Sequence, residues 1–110
     1  MTAARVMSLP HNDWRRRHPF FQEIALTRAA MLVNRLRVVA DRHSITPAAV
    51  ATAWTLRHPR VTAAIVGARR PQQIADMVQA VSARLSAPDF ALLTASYKEH
   101  DSAEMKALKV

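Results

Sequence analysis

The stretch that most restricts how this chain folds is Val61–Val66, VTAAIV, with Gly67 directly after it. It is apolar on both faces apart from Thr62, the pattern of a strand buried on both sides of a parallel sheet. It is also the one convincing strand in the sequence, expected over about residues 61–67; the rest reads as helix or loop. A lone parallel strand cannot pair with itself, and both its edges carry N–H and C=O groups that need partners. The isolated chain is therefore expected to be marginally stable or partly molten.

The residues after the strand are as informative as the strand. Residues 62–77 read TAAIVGARRPQQIADM, a strand running through a turn into a helix. Gly67, the single glycine of the chain, permits a turn or a close backbone approach. Pro71 fits the first turn of the helix, with Ile74, Met77, Val78 and Val81 expected inward. A helix N-terminus offers unpaired N–H groups and partial positive charge, so such a unit cradles phosphate. Arg69 and Arg70 add two guanidinium groups there. With one glycine, neither a GxGxxG dinucleotide loop nor a Walker loop is possible.

At 110 residues the chain is sized for one domain and a modest core, and at 50% hydrophobic it is not disordered by composition. It has no cysteine, which excludes disulfides and thiolate metal sites. No apolar run approaches the roughly 18 residues of a membrane helix, and the N-terminus lacks a signal-peptide core. A soluble, cytoplasmic chain with no membrane partner is expected. Sixteen Lys and Arg against eight Asp and Glu give +8, which suggests a polyanion or a phosphorylated ligand. The arginines are spread along the chain apart from Arg15–Arg17, which weakens a nucleic-acid reading.

In order, residues 1–21 read as loop, interrupted by Pro10 and Pro19, with Asn12-Asp13 capping a short turn through Trp14. A first long helix is expected over about 28–43, capped by Thr27, with Ala29, Leu32, Val33, Leu36, Val39 and Ala40 inward. Thr46 and Pro47 begin a second helix reaching about Arg57, in which Val50, Ala53 and Trp54 share a face. Ser86, Pro88 and Asp89 begin a last helix through a capping box, with Phe90, Leu93 and Tyr97 as its stripe. Residues 100–110 read as a polar, basic tail.

These segments, taken together, resemble the C-terminal part of an aldo-keto reductase. The match runs from about Leu9 to Thr94: LPHNDWRRRHPFFQE, a helix ending VVADRH, TPAAVATAWTLRHP, the strand VTAAIVGAR, then PQQI and RLSAPDF. The resemblance implies an α/β class, as a C-terminal fragment of a (β/α)8 TIM barrel, mostly helical with one parallel-type strand. Its parts would be a loop over 1–26, the last helices and last strand over 27–99, and a tail over 100–110. It implies an NADPH-dependent oxidoreductase that passes hydride between the nicotinamide and a carbonyl carbon. By position, Gly67 and Ala68 would lie against the adenosine 2′-phosphate through backbone, with Arg69 near the phosphate and Gln73 toward the phosphate or ribose. Asp76 stands where the family usually has Glu. Met77 stands where it often has an adenine-contacting Asn; it lacks the amide's hydrogen bonds but can pack on a purine. Arg70 is either a second phosphate ligand or a solvated side chain.

The family's catalytic tyrosine, lysine, aspartate and histidine belong to earlier strands that this sequence does not contain. A full barrel takes about 250 residues. The expectation is a cofactor-binding segment inactive alone, with NADPH and the missing N-terminal part of the barrel as partners. Tyr97, the one tyrosine, reads as packing or amphipathic surface. The five histidines, His11, His18, His43, His58 and His100, show no helical metal-pair spacing and read as solvated or helix-end groups. Trp14 with Arg15–Arg17 is either a stacking and phosphate-binding patch or an exposed basic loop. Two other functions compete: a basic helical module that binds nucleic acid, and a structural fragment that completes a partner's barrel.

Overall fold

The structure is a computed structural model that describes the backbone of residues 2–108 and the side chains of residues 2–99. It is helical: α1 (Ala3–Met7), α2 (Glu23–His43), α3 (Pro47–Leu56), α4 (Pro71–Ser82) and α5 (Ala87–Leu108), with 3-10 turns at Trp14–Arg16 and Pro19–Phe21. Helix α3 lies between α2 and α4, and α5 packs on α2.

The helix boundaries reflect local chemistry. Thr46 accepts a hydrogen bond from the Ala49 amide at 3.1 Å, and Pro47 occupies the first helical position, as its missing N–H permits. Pro71 opens α4 in the same way. Helix α2 starts one turn before the expected Thr27. Gln22 is its cap, and the Thr27 hydroxyl bonds the Glu23 carbonyl inside the helix at 2.9 Å. A threonine that satisfies a carbonyl four residues back sits comfortably inside a helix, so it need not mark a boundary. Ser44 ends α2 in the left-handed conformation, φ 52°, which a non-glycine residue adopts at a cost. There its own N–H reaches the Asp41 carbonyl, and Ile45 N–H bonds the Ala40 carbonyl at 3.1 Å.

The core is thin. Its buried cluster is Val39, Ala40, Ala49, Val50, Ala53, Ala80, Leu85 and Leu93, half of it alanine, with Leu36, Ile45, Trp54, Ala83 and Leu92 packed around it. Alanines bring helices close but bury little apolar area each. The Trp54 indole N–H donates to Thr94 Oγ1 at 3.1 Å, and its ring lies 5.5 Å from Tyr97 and 6.3 Å from Phe90. The Arg57 guanidinium sits 5.2 Å over Phe90 and bonds the Leu85 carbonyl, tying the end of α3 to the segment before α5.

Several expectations are corrected. Residues 61–67 form no strand; they have no regular secondary structure, and no strand occurs among the described residues. A strand exists by its ladder bonds, and helices offer no edge to complete one. Ile65 is accordingly exposed in full, at 102%. On α4, Ile74, Val78 and Val81 are exposed rather than buried, lining an open groove together with Ala64 and Val66, and only Ala80 is buried. Their stripe is apolar, but the sheet that such a stripe covers is not formed. Residues 3–21 hold α1 and two 3-10 turns where loop was expected; the turn at Trp14 is capped by Asp13, one of the expected Asn12-Asp13 pair. The expected tail continues α5 to Leu108.

A core this thin rests on few side chains. Leu93→Ala, at a position 1% exposed, is expected to cost about 3 kcal/mol, enough to leave the chain largely unfolded. Ile65→Ala is expected to stay within about 0.5 kcal/mol. Urea unfolding monitored by circular dichroism separates the two; equal costs would mean that residues 61–67 are already packed.

Candidate functional site

The residues expected to cradle a phosphate lie at the start of α4. Residues 67–70 lead into α4 as an exposed turn, and Arg69 and Arg70 are both exposed. Gln73 lies in the first turn of α4 and folds back. Its side-chain oxygen accepts from the Arg69 amide at 2.8 Å and from the Arg70 amide at 3.1 Å. The Gln73 amide N–H itself bonds the Arg70 carbonyl at 3.0 Å. Two amides that an anion could have used are thus held by the helix's own glutamine, whose NH2 remains a donor.

Asp76, one turn on, accepts from Gln72 Nε2 at 3.0 Å. Gly67 is exposed with φ outside the left-handed region, and an added Cβ would meet nothing within 4 Å. Within this chain, then, nothing demands glycine at that position. Ala68 lies at the rim of an open groove of about 460 Å³, lined also by Leu56 of α3, Ala64 and Val66 of the irregular segment, and Met77 and Val78 of α4. The volume is in the range of small-molecule pockets, and the lining is apolar. Met77 Sδ sits 3.4 Å from Thr52 Oγ1 at the groove wall. The structure thus brings Ala68 and Met77 to one groove, with Arg69 beside it, and sets Asp76 and Gln73 into hydrogen bonds of α4 itself.

The second basic feature, Arg15–Arg17, is largely occupied by local structure. Arg15 makes a two-pronged pair with Asp13, at 2.9 and 2.6 Å, and this bond with the Arg15 backbone N–H holds the Asp13 carboxyl down at about 2. Arg16 donates to the carbonyls of Met7 and Leu9 at 2.9 and 2.8 Å. Trp14 meets His18 and Phe21 edge-on at 5.2 and 5.4 Å. Of the three arginines only Arg17 is left exposed.

Sequence reasoning missed one polar centre. Asp89, beyond its capping role, is 4% exposed and collects three partners. Ser86 Oγ donates to Oδ2 at 2.7 Å, His43 Nε2 lies 2.9 Å from Oδ2, and Arg42 donates to Oδ1 at 2.6 Å. The hydrogen bond from His43, then those from Ser86 and Arg42, hold its pKa down at about 2. The residue types match those of a hydrolytic triad, but the order does not. The carboxylate is central and serine and histidine both bind it, so the histidine has no path to activate the serine. Its effect is to clamp the C-terminus of α2 to the N-terminus of α5. The signal available in sequence was a cation pair, Arg42-His43, at one helix end and an acid at another helix start. Among the described residues no group of three or more His, Cys, Asp or Glu is placed to hold a metal, and no described helix is long and apolar enough to cross a membrane.

The order of these segments is shared with known proteins. The model of the Aldo/keto reductase family matches residues 4–98. The chain belongs to the aldo/keto reductase family. A Glycine max protein named as aldo-keto reductase 1 is 29% identical over 84 residues, 76% of this chain and 24% of the relative. A Schizosaccharomyces pombe protein named as a voltage-gated potassium channel subunit beta is 41% identical over 49 residues, 44% of this chain and 14% of that protein. The chain therefore spans about a quarter or less of these relatives' length. Membership makes it an oxidoreductase-family chain carrying part of a TIM barrel.

The Asp89 clamp has a pH signature. Its carboxyl lies at about 2 when folded against an ordinary 3.8. A depressed pKa contributes stability above the unfolded value and loses it as pH falls through the folded one. Asp89→Asn is thus expected to be less stable than the parent at about pH 5, with the gap closing toward pH 2. Urea midpoints across that range test this; a constant gap would mean that the clamp is not ionic.

Proposed function

We propose that this chain is the segment of an aldo-keto reductase that receives the adenosine 2′-phosphate end of NADPH, and that by itself it transfers no hydride. The observation that carries the reading is the exposed Arg69–Arg70 pair at the mouth of α4, beside the groove that begins at Ala68. A phosphate dianion there would meet one or both guanidinium groups, whose planar forks suit phosphate oxygens. Gln73 would offer its NH2 without giving up its hold on the turn. Met77 would present a polarizable wall to the purine. Gly67, which nothing in this chain fills or strains, would leave room for the cofactor to approach the backbone.

On the same reading, residues 61–67 become the last strand of the barrel once neighbouring strands supply ladder bonds. The exposed Ile74, Val78 and Val81 of α4 would then cover the sheet. The missing N-terminal part of the barrel is the partner that would do this, and it would bring the catalytic residues. The chain works in the cytoplasm on this view, where NADPH is available and a cysteine-free domain needs no oxidising surroundings.

Arg69→Ala is expected to weaken NADPH binding by about tenfold or more and NADH binding by less than about twofold, since only NADPH carries the 2′-phosphate. Titration of nucleotide fluorescence against the chain, alone and mixed with an aldo-keto reductase N-terminal segment, measures both. Equal losses for the two nucleotides would remove the 2′-phosphate assignment. Affinity for duplex DNA exceeding that for NADPH at moderate salt would favour the nucleic-acid module instead.

A further inference from the structure

Helix α2 has three faces rather than two. At about 100° per residue, Leu32, Leu36, Val39 and Ala40 turn into the core, and Glu23, Thr27, Asn34, Arg37 and Asp41 lie exposed on another side. Between these runs a third line: Ile24, Arg28, Met31, Arg35, Val38 and Arg42, alternately four and three residues apart. The six fall within about 80° of arc, and the line is about 27 Å long at the rise of an α-helix. Its apolar members stand exposed, Ile24 at 69%, Met31 at 64% and Val38 at 45%. Arg35 is exposed and Arg28 half-buried, and Arg42 keeps 57% of its side chain accessible while pairing with Asp89. No acidic residue falls on the line.

Width and spacing select the occupant. Alternation by four and three is the spacing of a helix–helix seam. A helix lying in a membrane interface uses a broader apolar face, beyond about 100° of arc, and this line is narrower. A second copy of the same helix would bring arginine toward arginine, an unfavourable pairing without a desolvating counter-charge. An acidic helix meets both demands, with apolar side chains against Ile24, Met31 and Val38 and carboxylates against the arginines. We infer that the Ile24–Arg42 line of α2 is a docking seam for an acidic amphipathic helix of a protein partner. It lies on a different helix from the proposed cofactor segment.

The probe is a labelled synthetic helix of about three heptads with leucine and glutamate alternating at four-three spacing, titrated against the full chain by fluorescence anisotropy at about 0.1 M salt. A peptide of the same composition in shuffled order is expected to bind at least about tenfold more weakly. Arg35→Glu should weaken the patterned peptide about tenfold, and Met31→Ser should weaken it as well. Arg37→Glu, an identical charge change on the solvated side, should leave binding within about twofold. A peptide with lysine in place of glutamate should recover affinity for the Arg28→Glu, Arg35→Glu double variant. Circular dichroism confirms that each variant keeps its helix content. Equal binding of shuffled and patterned peptides, or equal losses from Arg35→Glu and Arg37→Glu, would reduce the seam to the attraction of net charge. Binding to phosphatidylserine vesicles without binding to the peptide would assign the line to a membrane surface and overturn the proposal.

Discussion

The backbone of residues 61–67 needs hydrogen-bond partners that helices do not provide, and this shortage shapes much of the molecule. Every peptide unit in an apolar strand has a donor and an acceptor to satisfy, and water satisfies them only if the segment stays exposed. So Ile65, in the most apolar stretch of the chain, is fully in solvent. The consequence spreads to the next element. Helix α4 carries an apolar stripe, and beside an unpaired segment Ile74, Val78 and Val81 stay exposed along the open groove they share with Ala64 and Val66. The groove below Ala68 is the space left between an unpaired segment and the helices beside it.

What remains holds through helix contacts made close by alanine. Ala49 and Ala53 let α3 approach its neighbours, and Leu93, Val39 and Val50 are the large side chains fully enclosed. Because that core is small, the polar clamp at Asp89 matters more than it would in a larger domain. A buried carboxylate with three well-placed partners contributes chiefly by fixing geometry, since an arrangement that broke one contact would leave a charge stranded in low dielectric. It fixes where α5 begins relative to where α2 ends, and so keeps Leu93 in one buried cluster with Val39 and Ala40.

Local chemistry is readable from the sequence, and contact over distance is not. Thr46-Pro47, Pro71 and the Ser86–Asp89 box each act within one turn, and the helices start where those residues put them. Thr27 misleads because a threonine hydroxyl serves a helix interior as well as a cap. Side-chain pattern alone predicts the strand over 61–67, whereas a strand is defined by a partner that pattern does not contain. Asp89 reads as a cap, but its ties to Arg42 and His43 cross more than forty residues. The resemblance names the family, and the family match over residues 4–98 shows it. Of the candidate residues Gly67, Ala68, Arg69, Gln73 and Asp76, sequence supplies the type and order; the turn that Gln73 makes onto its own backbone is visible only in three dimensions.

That turn bears on how a phosphate would be held. A helix N-terminus binds anions best when its amides are free, and here the amides just ahead of α4 are already bonded to Gln73. Displacing Gln73 would free those two amides but would undo the turn and leave its partly negative oxygen beside the phosphate, so on the proposed reading the glutamine would stay in place with its NH2 toward the ligand. Charge recognition then falls to the guanidinium groups instead of the helix end. On the proposed reading, that division would suit discrimination between nucleotides. Amides bind any nearby oxygen, but an exposed arginine gains most from the doubly charged 2′-phosphate and little from a ribose hydroxyl.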